Sequence, residues 1–553
     1  MDNILFLFPD QLRRDFLSCY GADFIDTPNI DWIAEHGVRY DNAYSASPLC
    51  VPARTALLTG MNAVRNGVTD NLHAIRPDYN LAGIRTWPQI MAADGYYTAA
   101  VGKMHFYPWD ARHGFQHRVV CEDKLWSLIR DDYYHYLKSH GLRKLRWFEY
   151  GEYLERKGVA HTDVPWEHSW DRYTGREARR FIETQGNDGP FALMVGFPGP
   201  HDPYDPATDF PDKYRSEDMP VPIPASDSHG HILRESRIHA RANMGMDLST
   251  YTENEMRYVR AHYAGLVKQI DHEVGELIQT LRRNNLLDST VIVFATDHGD
   301  HLGDHGIEGK ATFYEAATHI PLLVRAPGNA EGTTCLDLVE LRDVTATILA
   351  LAGCDLPDYM DAQPLPTLGL EGPSPRTHIF GYLTQSWMAF DGRYKLAKYS
   401  STTQGFEPSS DPFNSHTDPW KQHDLLSRGE THLFDLQNDP NEQHNLLDTN
   451  SILSPGDSKI ANIFHLLDTA LTQELMSSMT FAMHDRMPLP YSMSSDENVK
   501  KSQRRRSPVG LRADYRLSPA ASLLAIPDGE GWVHLASDGA KAYAGAWARQ
   551  NRW

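Results

Sequence analysis

Cysteine is scarce in this chain. Five occur among 553 residues, at Cys19, Cys50, Cys121, Cys335 and Cys354. They are odd in number and widely spaced, and no CxxC pair exists, so neither a disulfide framework nor a zinc ribbon is supported. Positive charge is also in deficit: the formal net charge is −20, which argues against a nucleic-acid surface. No apolar run is long enough to span a bilayer. The opening MDNILFLFPD has no basic leader before its apolar residues, so the expectation is a cytoplasmic protein without a membrane segment. No internal repeat is visible.

What is present is ordinary globular composition, with 41% hydrophobic and 23% charged residues. The length exceeds what one small core can organise. Ile4–Phe8, Tyr96–Val101, Phe191–Phe197, Thr290–Ala295 and Pro321–Val324 are short apolar runs that suit strands buried on both faces. Between them lie helical segments. Thr27-Pro28 opens one that Gly37 closes. Pro52–Leu58 is a short one. Leu266, Val267, Ile270, Val274, Leu277, Ile278 and Leu281 mark a long amphipathic one, and Val344–Leu351 another. The alternation predicts an α/β fold, a large and mostly parallel sheet sandwiched by helices. Past about residue 375 the style changes. Trp387–Phe390 and Tyr394–Tyr399 alternate around Asp391-Gly392, a hairpin turn, and His432–Leu436 continues the pattern. The expected division is therefore 1–375 as the catalytic α/β domain and 376–482 as a smaller subdomain with an antiparallel sheet. Residues 483–553 form an extension carrying Lys500, Lys501, Arg504, Arg505 and Arg506, read as a solvated segment or an oligomerisation arm.

Ligands of open parallel sheets bind beyond the carboxyl ends of the strands. Four of the apolar runs end in ligand-type residues: Asp10-Gln11, Lys103 and His105, His201-Asp202, and Asp297-His298. Asp10, Gln11, Asp297 and His298 offer three oxygens and an imidazole, a set suited to calcium, magnesium or manganese. Taken singly, each is more simply a turn cap or a satisfied polar residue; together at one rim they point to a metal. Lys103, His105, His201 and Lys310 would make a cationic pocket for a tetrahedral oxyanion, sulfate or phosphate. Cys50 falls near the N-terminus of its helix, where the helix field favours a thiolate. Arg54 is four residues on, on the same face. A small buried cysteine is the bland alternative.

With these blocks in view, the chain resembles the type I sulfatases of the alkaline phosphatase superfamily. Cys50-Val51-Pro52-Ala53-Arg54 followed by Leu58-Thr59-Gly60 matches their CxPxR…TG motif. Gly102-Lys103-Met104-His105, His201-Asp202-Pro203, Thr296-Asp297-His298-Gly299 and the stretch Leu433–Gln443 match further family blocks in the family's order. The resemblance implies an alkaline-phosphatase-like fold and conversion of Cys50 to formylglycine by a maturation enzyme. Its hydrate would attack sulfur with one hydroxyl and expel sulfate through the other. It further implies that Asp10, Gln11, Asp297 and His298 bind a divalent cation beside position 50, with calcium first and manganese or magnesium as alternatives. Arg54 would steady the diol, and Lys103 and Lys310 would hold the sulfate oxygens. His201 would protonate the leaving alcohol, His105 would trigger sulfate release, and Asn71 would contact the anion.

Asp10-Gln11 and Asp297-His298 depart from the commoner family pairs and resemble the branch holding choline sulfatases, phosphonate monoester hydrolases and bacterial arylsulfatases. Lys103 with His105 favours a sulfate monoester substrate. The alternatives are a phosphonate monoester or phosphodiester hydrolase with the same nucleophile, and a silent binder of sulfated ligands. The partners expected are a small sulfate ester and the maturation enzyme, with no nucleic acid and no membrane, and a homodimer or homotetramer.

Overall fold

The computed structural model describes residues 1–399, less 72, 76–78, 126–128, 146–148, 151–152, 187, 243–245, 248–250, 329–330, 371, 373–374 and 384–385, then 430–447 and 458–483, with the short strands Tyr491–Ser492, Ala525–Pro527 and Trp532–His534 beyond. The cationic run from Lys500 to Arg506 lies outside the described residues.

An eight-stranded sheet organises the first part of the chain. Its strands are β1 (Asn3–Leu7), β2 (Val38–Tyr40), β3 (Tyr97–Gly102), β4 (His117–Val120), β5 (Phe191–Gly196), β6 (Thr290–Ala295), β7 (Leu322–Arg325) and β8 (Thr333–Cys335). Their spatial order is β8-β2-β7-β6-β1-β5-β3-β4. Strands β6, β1, β5, β3 and β4 run parallel to one another, and β7 alone is antiparallel to both its neighbours. The apolar runs read from the sequence are the strands with both faces covered: β1, β5 and β6 are buried at every position. The two faces make two separate cores. One joins Leu5, Leu7, Leu193 and Ile292 to the helix Glu253–Arg283 through Val267, Ile270, Val274 and Leu277. The other joins Ile4, Phe6, Ala192 and Val293 to Leu57, Leu58 and Ile348.

The strands the sequence hid are β2, β4 and β8. Each is short and partly polar, so no apolar run marks it. The helix Trp170–Gln185 was hidden for a related reason. It buries Asp171 and Arg179 on its core face, and Arg179 ion-pairs with Glu273 of the long helix.

The strands Ile379–Leu383, Ser386–Phe390, Tyr394–Tyr399 and Glu430–Asp435 form a separate antiparallel sheet in sequence order. Helix Ser458–Met483 covers it, burying Leu467 and Leu471 against Ala389, Leu396 and Leu433. Asn62 ties that helix back to the first part of the chain: its Nδ2 donates to Ser478 Oγ at 2.9 Å and to Glu474 Oε1 at 3.3 Å, and Tyr382 Oη of the small sheet donates to the same Glu474 oxygen at 3.3 Å. Tyr491–Ser492 pairs antiparallel with His73–Ala74, so this segment past residue 483 reaches back to the part of the chain that carries the eight-stranded sheet. No helix among the described residues is long and apolar enough to cross a membrane.

Candidate active site

Because β6, β1, β5 and β3 are consecutive parallel neighbours, their carboxyl ends open on one edge of the sheet. Asp10 and Gln11 follow β1, Lys103 and His105 follow β3, His201 follows β5, and Asp297 and His298 follow β6. The strand ends are locked together. Asp10 N–H donates to Phe197 O at 3.1 Å and Gly199 O at 3.0 Å, and Lys103 N–H donates to Gly196 O at 2.7 Å. That last approach needs glycine on both strands: a Cβ on Gly102, whose φ is +94°, would sit 2.1 Å from Gly196 O, and one on Gly196 would sit 2.0 Å from Lys103 O.

Cys50 is the first residue of helix Cys50–Thr59, with Pro52 in its first turn and Gly60 in the left-handed conformation at its end. Leu49, the preceding residue, supplies no side-chain cap. Asn71 does the capping from outside: its Oδ1 accepts the Val51 N–H at 2.9 Å. This adds a backbone contact that the sequence motif did not foretell. The Lys310 loop is stitched to the same segment by Ala311 N–H donating to Pro48 O at 3.0 Å.

The structure brings the strand-end residues around Cys50. His298 Nε2 lies 3.3 Å and Lys310 Nζ 2.9 Å from Cys50 Sγ. Arg54 reaches Asp10 Oδ2 at 2.7 Å and Asp297 Oδ2 at 2.9 Å, and donates to Lys103 O at 3.0 Å. Lys103 Nζ sits between Asp10 Oδ2 at 2.9 Å and Asp123 Oδ2 at 2.5 Å. Lys310 Nζ also donates to Gln11 Oε1 at 2.5 Å. His201 Nδ1 donates to Asp202 O at 2.6 Å, which leaves Nε2 as the nitrogen available to a substrate. The ring of His105 lies 3.7 Å from Asp123 Oδ2.

Asp10, Cys50, Asp297 and His298 each present one donor atom, all within 4.8 Å of one another and all buried. Two details fit a cation there. Asp10 Oδ1 is buried with no hydrogen-bond partner among the described residues. His298 Nδ1 faces Gly299 O at 2.9 Å and must donate to it, so the Nε2 lone pair faces Cys50. Carboxylate oxygens with one imidazole suit calcium, manganese or magnesium.

Charge is shared tightly in this dry setting. Burial and Asp10 both oppose ionisation of Cys50, yet Lys310, Lys103 and His298 outweigh them and hold the thiol well below its ordinary value. Burial also opposes the Asp10 carboxylate, and Lys103, Arg54, Lys310 and His201 together pull it well below its usual range. For His201, burial and the two lysines work against protonation, but Asp202 and Asp123 raise it net. Asp123 is depressed to about 2: Lys103, His201 and His105 overcome its burial.

Sequence reasoning missed Asp123 and Asp300. Asp123 follows β4 just as the predicted residues follow their strands, and its signal was the same strand-end rule applied to a strand too polar to notice. Asp300 stands in Thr296-Asp297-His298-Gly299-Asp300-His301, where four of the six residues are ionisable and only the backbone decides which ones face the site.

The sulfatase family profile matches residues 2–354, and the profile described as N-sulphoglucosamine sulphohydrolase, C-terminal, matches residues 303–456. An arylsulfatase of Clostridium perfringens is 28% identical over 473 residues, covering 81% of this chain and 90% of its own. A choline-sulfatase of Rhizobium meliloti is 32% identical over 368 residues, covering 64% and 68%. Among solved structures, a phosphonate monoester hydrolase from Silicibacter pomeroyi aligns with a TM-score of 0.67 at 19% identity, covering 90% of this chain and 100% of that one, a likeness of fold.

Proposed function

This chain belongs to the sulfatase family, a family of sulfuric ester hydrolases, and we propose that it cleaves sulfate monoesters, aryl sulfates among them, to an alcohol and inorganic sulfate at Cys50. The observation that carries this reading is the setting of Cys50 Sγ, at a helix N-terminus and within 3.3 Å of both Lys310 Nζ and His298 Nε2. A merely structural cysteine needs none of these neighbours.

In this reading a maturation enzyme oxidises the Cys50 side chain to formylglycine, whose hydrate supplies the attacking hydroxyl. Asp10, Gln11, Asp297, His298 and position 50 would hold the divalent cation, calcium first and manganese or magnesium as alternatives. When bound, that cation supplies Lewis acidity toward the sulfate ester. Lys103 and Lys310 orient the sulfate oxygens and offset the charge that grows on them. Arg54 bridges Asp10 and Asp297 and steadies position 50. His201, its protonated form favoured by Asp202 and Asp123, gives the Nε2 proton to the departing alcohol oxygen. His105 takes the proton whose loss frees sulfate from position 50. Lys103 and His105 standing together beside Asp123 support sulfate over phosphonate esters.

The test begins with the mass of the tryptic peptide Tyr40–Arg54, which holds Cys50 and no other cysteine. Replacement of the thiol by an aldehyde or its hydrate is expected. Cys50→Ala should then lose aryl sulfate hydrolysis; full activity in that variant refutes the reading. On matched aryl esters, kcat/KM is expected to favour the sulfate over the phosphonate, and the reverse order would reassign the substrate.

A further inference from the structure

Gln11 is held from both its backbone and its side chain. Its φ is +67°, a left-handed conformation that a glutamine holds only when its surroundings impose it. Its backbone N–H donates to Asp297 Oδ1 at 2.9 Å, and its carbonyl accepts from Tyr263 Oη at 2.6 Å. Its side chain lies between two groups of opposite kind. Nε2 meets Asp300 Oδ2, and Oε1 meets Lys310 Nζ. An ionised carboxylate only accepts and an ammonium only donates. The reversed amide would aim its nitrogen at the ammonium and its oxygen at the carboxylate, two repulsions in a buried place, so one orientation survives.

Asp300 is itself fixed. It is fully buried, and donors meet both its oxygens. Oδ1 accepts from Leu302 N–H at 3.1 Å and Gly309 N–H at 3.0 Å, while Oδ2 accepts from Tyr204 Oη at 2.6 Å and from Gln11. Beyond Leu302 in its own turn, these donors come from three places in the chain: the end of β1, the segment after His201, and the residue before Lys310. Gly309 and Ala311, on either side of Lys310, have φ of +79° and +69°. The Gly309 hydrogen bond therefore holds a loop that local preference does not.

We propose that Asp300 is a positioning residue that turns the Gln11 amide oxygen toward the Cys50 cluster and sets the loop carrying Lys310. It acts through Gln11 and Lys310 and touches no reacting atom. The inference rests on the sulfatase reading for its kinetic consequence, and on the donor set alone for its effect on cation affinity.

The experiment is a double-mutant cycle on the full chain. Calcium and manganese are titrated calorimetrically into chelator-treated wild type, Asp300→Asn, Gln11→Ala and the double variant, and aryl sulfate kinetics are measured on the same preparations. Asp300→Asn is expected to weaken cation binding by about 10- to 100-fold, the range for groups that orient metal ligands. In the Gln11→Ala background the same change should cost less than about 3-fold, because its target is gone. Equal losses in the two backgrounds, wild-type affinity in Asp300→Asn, or a wild type that binds neither cation would overturn the proposal. If Asp300→Asn does not fold, Gln11→Glu decides. With Asp300 fixed opposite, glutamate should bind the cation worse than glutamine despite its charge, and tighter binding overturns the proposal. A wild type that obeys the cycle yet turns over no sulfate ester would sink the sulfatase reading and leave the Asp300 assignment standing.

Discussion

Arg54 is where stability and function meet most directly, and replacing it by methionine is informative. The guanidinium spans Asp10 Oδ2 at 2.7 Å and Asp297 Oδ2 at 2.9 Å, with all three side chains at 2% exposure or less. Methionine keeps much of the volume above the Phe8 ring, on which the guanidinium rests at 4.9 Å, so the change removes mainly charge. Removing one partner of a buried ion pair costs about 3–5 kcal/mol, because the other charge is left uncompensated. Asp10 keeps Lys103 at 2.9 Å, so the loss falls chiefly on Asp297, and the figure for a single pair applies. That is a large part of a typical folding free energy of about 5–15 kcal/mol. A cation held by the same carboxylates should offset part of it. At 100 times its dissociation constant a ligand stabilises by about 2.7 kcal/mol, and the variant, which lacks the competing guanidinium, should gain more than wild type. The assay is urea unfolding of both proteins in chelator and in saturating calcium. A loss under about 1 kcal/mol in chelator, or equal calcium stabilisation in the two proteins, refutes the account of Arg54 as the charge that holds two proposed ligand carboxylates together.

Three further outcomes are expected. His201→Asn should slow hydrolysis of an alkyl sulfate by about 100-fold or more, and hydrolysis of a nitrophenyl sulfate far less, because only a basic leaving group needs the proton; equal losses on both esters would remove His201 from that role. Asn71→Ala should cost about 1 kcal/mol in thermal unfolding by stripping the acceptor from Val51 N–H, with Asn71→Asp retaining it; identical melting of all three proteins would show the cap to be idle. Asp304 is held down to about 2, since Arg13 and Arg260 outweigh its burial. A depressed carboxylate stabilises above its unfolded value of about 4, and that contribution disappears as pH falls through about 2. The stability gap between wild type and Asp304→Asn should therefore narrow on acidification, and a gap that widens would reverse the assignment.

The parts of the site legible in the sequence are those carried by strands buried on both faces. An apolar run of five or six residues announces β1, β3, β5 and β6, and whatever polar residue follows must emerge at the rim. The rule fails where burial is one-sided. β4 reads His117-Arg118-Val119-Val120 and is partly buried until its last residue, so Asp123 looked like one acidic residue among many. It fails again in the Lys310 loop. Leu302, Gly303, His305, Gly306, Gly309 and Ala311 all have positive φ, and a backbone turning that often has no periodicity to read. Which carboxylate faces inward there is settled by tertiary donors such as Tyr204 and Gln11, drawn from far away in the chain.

The acidic overall charge and the cationic pocket are reconciled by the pairing within it. Lys103 is matched by Asp10 and Asp123, Arg54 by Asp10 and Asp297, and His201 by Asp202. Lys310 differs: its hydrogen bonds among the described residues go to the neutral Gln11 oxygen and to the sulfur of Cys50. In the proposed reading an arriving oxyanion would find directed N–H groups from the matched cations and from Lys310, whose nearest anionic partner is the sulfur of Cys50. In a site shielded from solvent, that nearby charge governs binding far more than acidic groups spread over the surface, whose fields water and salt screen within about 8 Å. On the proposed reading, a substrate carrying one negative charge should suit such a pocket better than one carrying two, since the second charge would face Asp10, Asp123 and Asp297, which already hold the nearby cations.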